Sequence, residues 1–375
     1  MTTETSIGAV NGLAARWAAD VLDGRSLALA APAVWPMLAV LAAGADGELR
    51  AALATAVGVD PAGSGAAARD LLDLLNGTDG VRAAFGIWSN RDLVPDPFWL
   101  DELPPHAHGT LTGDATADKA ALDAWLSERT AGLLPALPQG PDEDTRMLLI
   151  GTLLVQTGWR HRMSVTSVTP AGGPWSRFAG LRAPVDPADI AVTAGGLTRV
   201  IVRGAGEVDV HLVLGAADPG TVVAGALATL GDTPLWTAAD AGPPPDGSAV
   251  RVGRIASTGT GPVYRVQAPP FTIRTVHDLL QRRALFGLPE ADLAGSASQV
   301  LKVDQAQQFV MAQFDQSGFT AAAATVSMWV AAGFTREPHE VPLTEVVFDR
   351  PYGFVAVHRP TDLGLVAGWV AAVSG

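Results

Sequence analysis

The chain contains no cysteine, which excludes disulfides, thiolate catalysis and cysteine-ligated zinc and leaves the redox compartment open. Charge is scarce as well. Only 17% of residues are Asp, Glu, Lys or Arg, and acids outnumber bases by 38 to 25, for a formal net charge of −13. Nucleic acid, heparin-like polymers and anionic membrane surfaces all require clustered Lys and Arg, so none of them is expected as a partner. No apolar run reaches the roughly 20 residues that a membrane span needs. The most apolar stretch, residues 26–43, is interrupted by Pro32 and Pro36 and runs into Gly44 and Asp46. The N-terminus has Glu4 and no basic segment ahead of an apolar one, so no signal peptide is read and a cytoplasmic chain is expected.

Catalytic motifs are missing too. There is no Gly-x-Ser-x-Gly elbow, no phosphate-binding loop ending in Gly-Lys-Ser/Thr, and no His-Glu-x-x-His helix. Gly259-Thr260-Gly261 lacks the third glycine and the helix that would make it a nucleotide turn. His106 and His108 have no third ligand near them in sequence and read as a solvated loop, while Asp142, Glu143 and Asp144 read as a turn and cap. No catalytic residue, metal or cofactor is expected.

What the chain has is apolar substance. At 375 residues and 48% hydrophobic it can bury a large core, and length alone would suggest two or three domains. Helices are expected over residues 7–23, after Pro36, and over 48–57, 69–75 and 115–134. The run RMLLIGTLLVQTGW, residues 146–159, reads as a strand buried on both faces. Beyond it, β-favouring runs recur at 189–193, 197–202, 208–214, 250–255 and 262–266, followed by a helix over 275–286. Residues 300–314, 346–357 and 363–373 read as strands. Residues 239–248, with three consecutive prolines, read either as a domain boundary or as a connection between sheets.

The C-terminal part is the most specific. A strand-like run ends at Gly318; Phe319 and Thr320 follow, then four alanines, Ala321, Ala322, Ala323 and Ala324, and then Thr325. Alanine is the best helix former, and in isolation this stretch would be read as a buried helix. Its flanks, however, prefer β. The order resembles the hinge of the reactive loop of the serpins, in particular their bacterial members. Five further segments resemble the family in order: residues 26–59, DAWLSERTAGLL at 123–134, the strand ending in Trp159, PPFTIRTVHDLLQRRALFGLPEADLAG from Pro269, and FDRPYGFVAV from Phe348.

The resemblance implies an α+β serpin fold: one domain over residues 1–375, three β-sheets surrounded by about eight or nine helices, and an exposed reactive-centre loop at about 318–340. It implies no enzyme but a monomeric suicide inhibitor of a serine-type protease, metastable before cleavage, and it adds export from the cell as a second expectation for location. The family's spacing places the cut bond at Ala332–Gly333, preceded by Trp329, Val330 and Ala331. A small residue before the cut suits an elastase-like or subtilisin-like protease. A cut at Phe334 would suit a chymotrypsin-like one, and Arg336 ranks last. Trp159 corresponds to the breach, where the loop enters the main sheet, and Gly151 and Gln308 to the shutter beneath it.

Several positions depart from the family. Phe319 stands where inhibitors carry a small hydroxyl residue, so its ring is expected either to slow insertion or to demand a pocket. Gln316 and Pro270 replace the usual acid and base of the breach. Ala31 and Val34 replace serines, Gly151 an asparagine and Gln308 a histidine, which predicts either that an apolar shutter substitutes for the hydrogen-bonded one or that the opening has been lost. The alternative these changes imply is a non-inhibitory serpin-fold binding or scaffold protein whose loop is cleaved as a simple substrate.

Overall fold

The computed structural model describes residues 3–91, 103, 107–130, 132, 135–137, 140–170, 172, 174–288, 303–320 and 338–373. Four helices open the chain: α1 (Thr3–Val21), α2 (Ala31–Gly44), α3 (Gly47–Val57) and α4 (Pro61–Gly77). α1 buries Val10, Leu13, Ala14, Trp17, Ala18 and Val21, the helical spacing its sequence suggested. α2 starts at Ala31, with Pro32 in its first turn and Pro36 carried inside, so it begins five residues before the expected point. α4 is longer than expected because Asp60 caps it, its carboxylate accepting from Ala62 N.

Three sheets follow. The first has seven strands in the order β1 (Leu27–Leu29), β18 (Leu363–Val370), β17 (Tyr352–His358), β9 (Val208–Leu214), β8 (Thr198–Val202), β7 (Ile190–Val192) and β10 (Trp236–Thr237). The second has five: β11 (Val250–Ser257), β16 (His339–Val347), β12 (Val263–Ala268), β6 (Phe178–Pro184) and β5 (Ser164–Val168). The third has six: β13 (Phe271–Asp278), β14 (Gln305–Phe314), β15 (Gly318–Thr320), β4 (Met147–Gly158), β2 (Val81–Asn90) and β3 (His108–Leu111). Helices α5 (Ala115–Arg129), α6 (Pro219–Ala228) and α7 (Arg283–Phe286) complete seven among the described residues.

β4 is buried along its first nine residues, as a strand covered on both faces must be. The helix expected over 275–286 is corrected: Thr275–Asp278 continues β13, and helical turns begin only after Asp278, whose carboxylate caps Leu280 N. Residues 346–357 are two strands, not one, because β16 ends at Val347 and β17 starts at Tyr352. Residues 239–248 join the seven-stranded sheet to the five-stranded one. One core cluster runs from Ile7 to Val370 and draws on all three sheets. No helix among the described residues is long and apolar enough to cross a membrane.

Candidate functional site

The six-stranded sheet is forked. At one end β14 and β4 pair directly and in parallel, Gln305–Phe309 against Leu148–Thr152. Towards the other end they diverge, and β15 lies between them, antiparallel to both: Phe319 faces Phe314 and Thr157, and Thr320 faces Gln313 and Gln156. The chain thus turns back after β14 and begins a new central strand. Gly318 is required by space, since a Cβ there would collide with the Thr157 carbonyl.

The turn into β15 is held by Asp315. One of its carboxylate oxygens accepts from Ser317 N at 2.7 Å and Gly318 N at 3.2 Å, and the other accepts from Gln313 Nε2 at 2.9 Å. Its backbone carbonyl accepts from the indole Nε1 of Trp159 at 2.8 Å. Trp159 also packs on Phe314 with ring centroids 5.0 Å apart and bridges to Gly204 in the connection between β8 and β9. Beside Gly204, Arg203 binds Asp189 at 2.5 Å and Asp209 at 2.7 Å. Burial works to lower the Arg203 pKa, but the bonds to the two carboxylates raise it. Gln316 is exposed in the turn. With Gln316 and Pro270 both uncharged, it is the Trp159 indole that ties this end of the sheet.

Phe319 has its pocket. The side chain is fully buried, with its ring 6.2 Å from that of Phe354. Phe354 lies 4.8 Å from Phe271, which stacks on Phe314 at 5.5 Å. The segment that resembled the family's C-terminal signature therefore supplies part of the seat for Phe319.

Gly151 and Gln308 face each other across the parallel β14–β4 pair. The environment is not wholly apolar, because Gln308 makes hydrogen bonds there. Gln308 is fully buried, its Oε1 accepts from Ala30 N at 3.3 Å, and its Nε2 donates to the Ala30 carbonyl. One carboxamide can donate and accept at once, so it satisfies both backbone groups of a residue at the start of α2. Next to it, Thr275 Oγ1 accepts from Ala28 N at 3.1 Å, and His277 Nε2 contacts the Ala28 carbonyl at 2.7 Å. A methyl on Gly151 would collide with the Ala33 carbonyl, so glycine lets α2 press against β4. Ala31 and Val34 are buried around this contact.

Ala321, Ala322, Ala323, Ala324, Thr325, Trp329, Val330, Ala331, Ala332, Gly333, Phe334 and Arg336 lie outside the described residues, as does His106. His108 is half-buried, with its Nε2 3.0 Å from Ser89 Oγ, and burial lowers its pKa. No group of three metal-ligating side chains occurs among the described residues. Asp142 closes a turn with Thr145 at 2.6 Å. Sequence reasoning missed Asp315 and Phe354. The Asp-x-x-Gly pattern at 315–318 signals a tight turn, whereas nothing local marks Phe354 as the neighbour of Phe319.

No family model matches the sequence, and no curated protein matches it. Solved structures do. A thyroxine-binding globulin complexed with thyroxine superposes with a TM-score of 0.73 at 14% identity, over 100% of both chains. Serpin48 of the insect Tenebrio molitor, described as highly specific, gives 0.71 at 15%, again over 100% of both chains. The mouse protein-Z dependent protease inhibitor gives 0.70 at 11%, over 99% of this chain and 97% of that one. The fold is the serpin fold. Identities this low show the serpin architecture and do not distinguish a bacterial subgroup within it.

Proposed function

We propose that the chain inhibits a serine-type protease as a suicide substrate, in a single serpin domain whose loop spans about 318–340. The observation that carries the reading is the seating of Gly318–Thr320 between β14 and β4. The first residues of the inserting strand are in place and the fork below them is ready to be widened. Side chains alternate along a strand, so with Phe319 facing the core, insertion would bring Ala321, Ala323, Thr325 and Ser327 to the inner face. All are small, which suits passage over Gly151 and Gln308. Each backbone hydrogen bond gained contributes about 1 kcal/mol, and a dozen give on the order of 10 kcal/mol. That gradient drives insertion once the loop is cut, carrying off the protease while it is still acylated. The cut is assigned to Ala332–Gly333, with Trp329, Val330 and Ala331 ahead of it, and the target to an elastase-like or subtilisin-like protease.

A second reading is supported by the similarity to a globulin that binds thyroxine: a serpin-fold binding protein whose loop is a plain substrate. The two are separated by mixing the protein with an elastase and a subtilisin and running boiled samples on a denaturing gel. An SDS-resistant band at the summed mass supports inhibition, and mass spectrometry of the released C-terminal peptide locates the cut bond. Clean cleavage with a fully active protease and no gain in heat stability favours the binding role.

A further inference from the structure

β11 and β12 are consecutive in the chain, joined by the exposed residues 258–262, yet they are not neighbours in their sheet. β16 lies between them. It pairs antiparallel with β11 over eight positions, His339–Val346 against Ser257–Val250, and parallel with β12 over five, Leu343–Val347 against Val263–Gln267. Because Ser257 faces His339, the 258–262 connection closes over the end at which the chain from the loop joins β16. Charged contacts hold both arms. Arg254 reaches the Glu340 carboxylate at 3.4 Å and Arg251 reaches buried Asp349 at 2.5 Å from the β11 side. From the β12 side, Arg265 and Gln267 bind Glu345 at 2.6 and 3.0 Å.

We propose that this hairpin is a clamp that prevents the uncut loop from inserting. The inference rests on the insertion reading above. Continuing the β15 register would bring residue 329 opposite Met147, at the far end of β4. Nine residues, 330–338, would then remain before His339. The five-stranded sheet lies beyond the forked end of the six-stranded one, because β12 leads to β13 through Pro269 and Pro270 alone and β4 leads to β5 through residues 159–163. The return path along β4, from Met147 back to Gly158, is about 37 Å at roughly 3.4 Å per residue, and nine residues fully extended reach only about 30–32 Å. No slack remains to reach the five-stranded sheet. Full insertion without cleavage therefore requires β16 to leave its place, and to leave it must part from two strands and clear the connection that straddles it. Cleavage removes the need, since the inserting strand is then free of β16.

The test opens the clamp after folding. A recognition site for a sequence-specific protease, absent elsewhere in the chain, is inserted between Gly259 and Thr260, and the folded protein is nicked there with its loop intact. Nicked and unnicked samples are held just below the onset of melting, and the fraction converted to a heat-resistant form is followed, with mass spectrometry verifying the uncut loop. The nicked protein is expected to convert at least tenfold faster. Val252→Pro, which interrupts the β11 ladder, is expected to do the same without a nick. Equal rates in nicked, unnicked and Val252→Pro proteins overturn the clamp if loop cleavage converts all three to the heat-resistant form. If loop cleavage converts none of them, the insertion reading itself fails and the clamp falls with it.

Discussion

Gln308 and Ala30 bind each other in both directions, the amide oxygen accepting from Ala30 N at 3.3 Å and the amide nitrogen donating to the Ala30 carbonyl. The pair joins the middle of β14 to the start of α2, at the level where β14 and β4 still pair directly. Any strand that enters further must pass this point.

Gln308→Leu removes both bonds and leaves the Ala30 N–H without a partner, while the Ala30 carbonyl keeps Ala33 N at 3.1 Å. An unsatisfied buried group costs about 1–3 kcal/mol, and a loss of about that size is expected in urea unfolding. Because β14 is also freed from α2, insertion after loop cleavage is expected to speed up, read as the rate at which cut protein becomes heat-resistant.

Phe319→Arg tests the seat of the hinge. A guanidinium cannot be buried beside Phe354 without a partner, so the hinge is expected to stay out of the sheet. The variant should be cut as a simple substrate, form no SDS-resistant complex and gain no heat stability, whereas Phe319→Leu should retain all three properties of the parent. Covalent trapping by Phe319→Arg at the parental rate would show that hinge seating is not needed.

Gly151→Ala places a methyl against the Ala33 carbonyl. Overpacking of this kind costs about 1–3 kcal/mol, and the urea midpoint is expected to fall accordingly. An unchanged midpoint would mean that α2 retreats freely from the sheet.

Acid is expected to destabilise the fold through His211. Burial, with Arg199 and Arg203 close by, pushes its pKa from 6.5 down to about 3, and its Nδ1 has no hydrogen-bond partner among the described residues. Burial lowers the pKa of His277 and His358 in the same way. The unfolded chain takes up protons that the native state refuses, so stability is full above pH 6.5 and is lost progressively as pH falls towards 3. For His211 alone the loss is at most about 5 kcal/mol, from 1.36 kcal/mol per pKa unit. Urea midpoints between pH 4 and 7 should slope upward, and His211→Phe should flatten the slope. A parallel slope in the variant would assign the acid sensitivity elsewhere.

Much of the fold was legible. β4 announced itself as an unbroken apolar run, and β8 and β9 as short β-branched stretches between glycines. Pattern reading failed where two signals overlapped. Along β13 buried and exposed residues largely alternate, but Leu279 and Leu280 after Asp278 extended the apparent helix backwards. α6 was missed because its valines and glycines argue against helix, although Asp218 caps it through Thr221. At the candidate site, Gly318 and the alanines after Thr320 were visible in the sequence. The ring that packs beside Phe319 and the bonds that Gln308 makes were not visible, because each residue was weighed without its neighbours.

The sequence by itself determined the apolar runs, the turns, the glycine at the hinge and the order of segments, because these depend on steric preference and periodicity along the chain. Only the tertiary structure decided whether a buried ring had a pocket, whether an amide had partners, and which strands flank β16. Phe354 lies 35 positions beyond Phe319, and Ala30 lies 278 before Gln308. Packing and hydrogen bonding are satisfied between groups that meet in space, and nothing in either residue's local sequence reports what the folded chain brings to it.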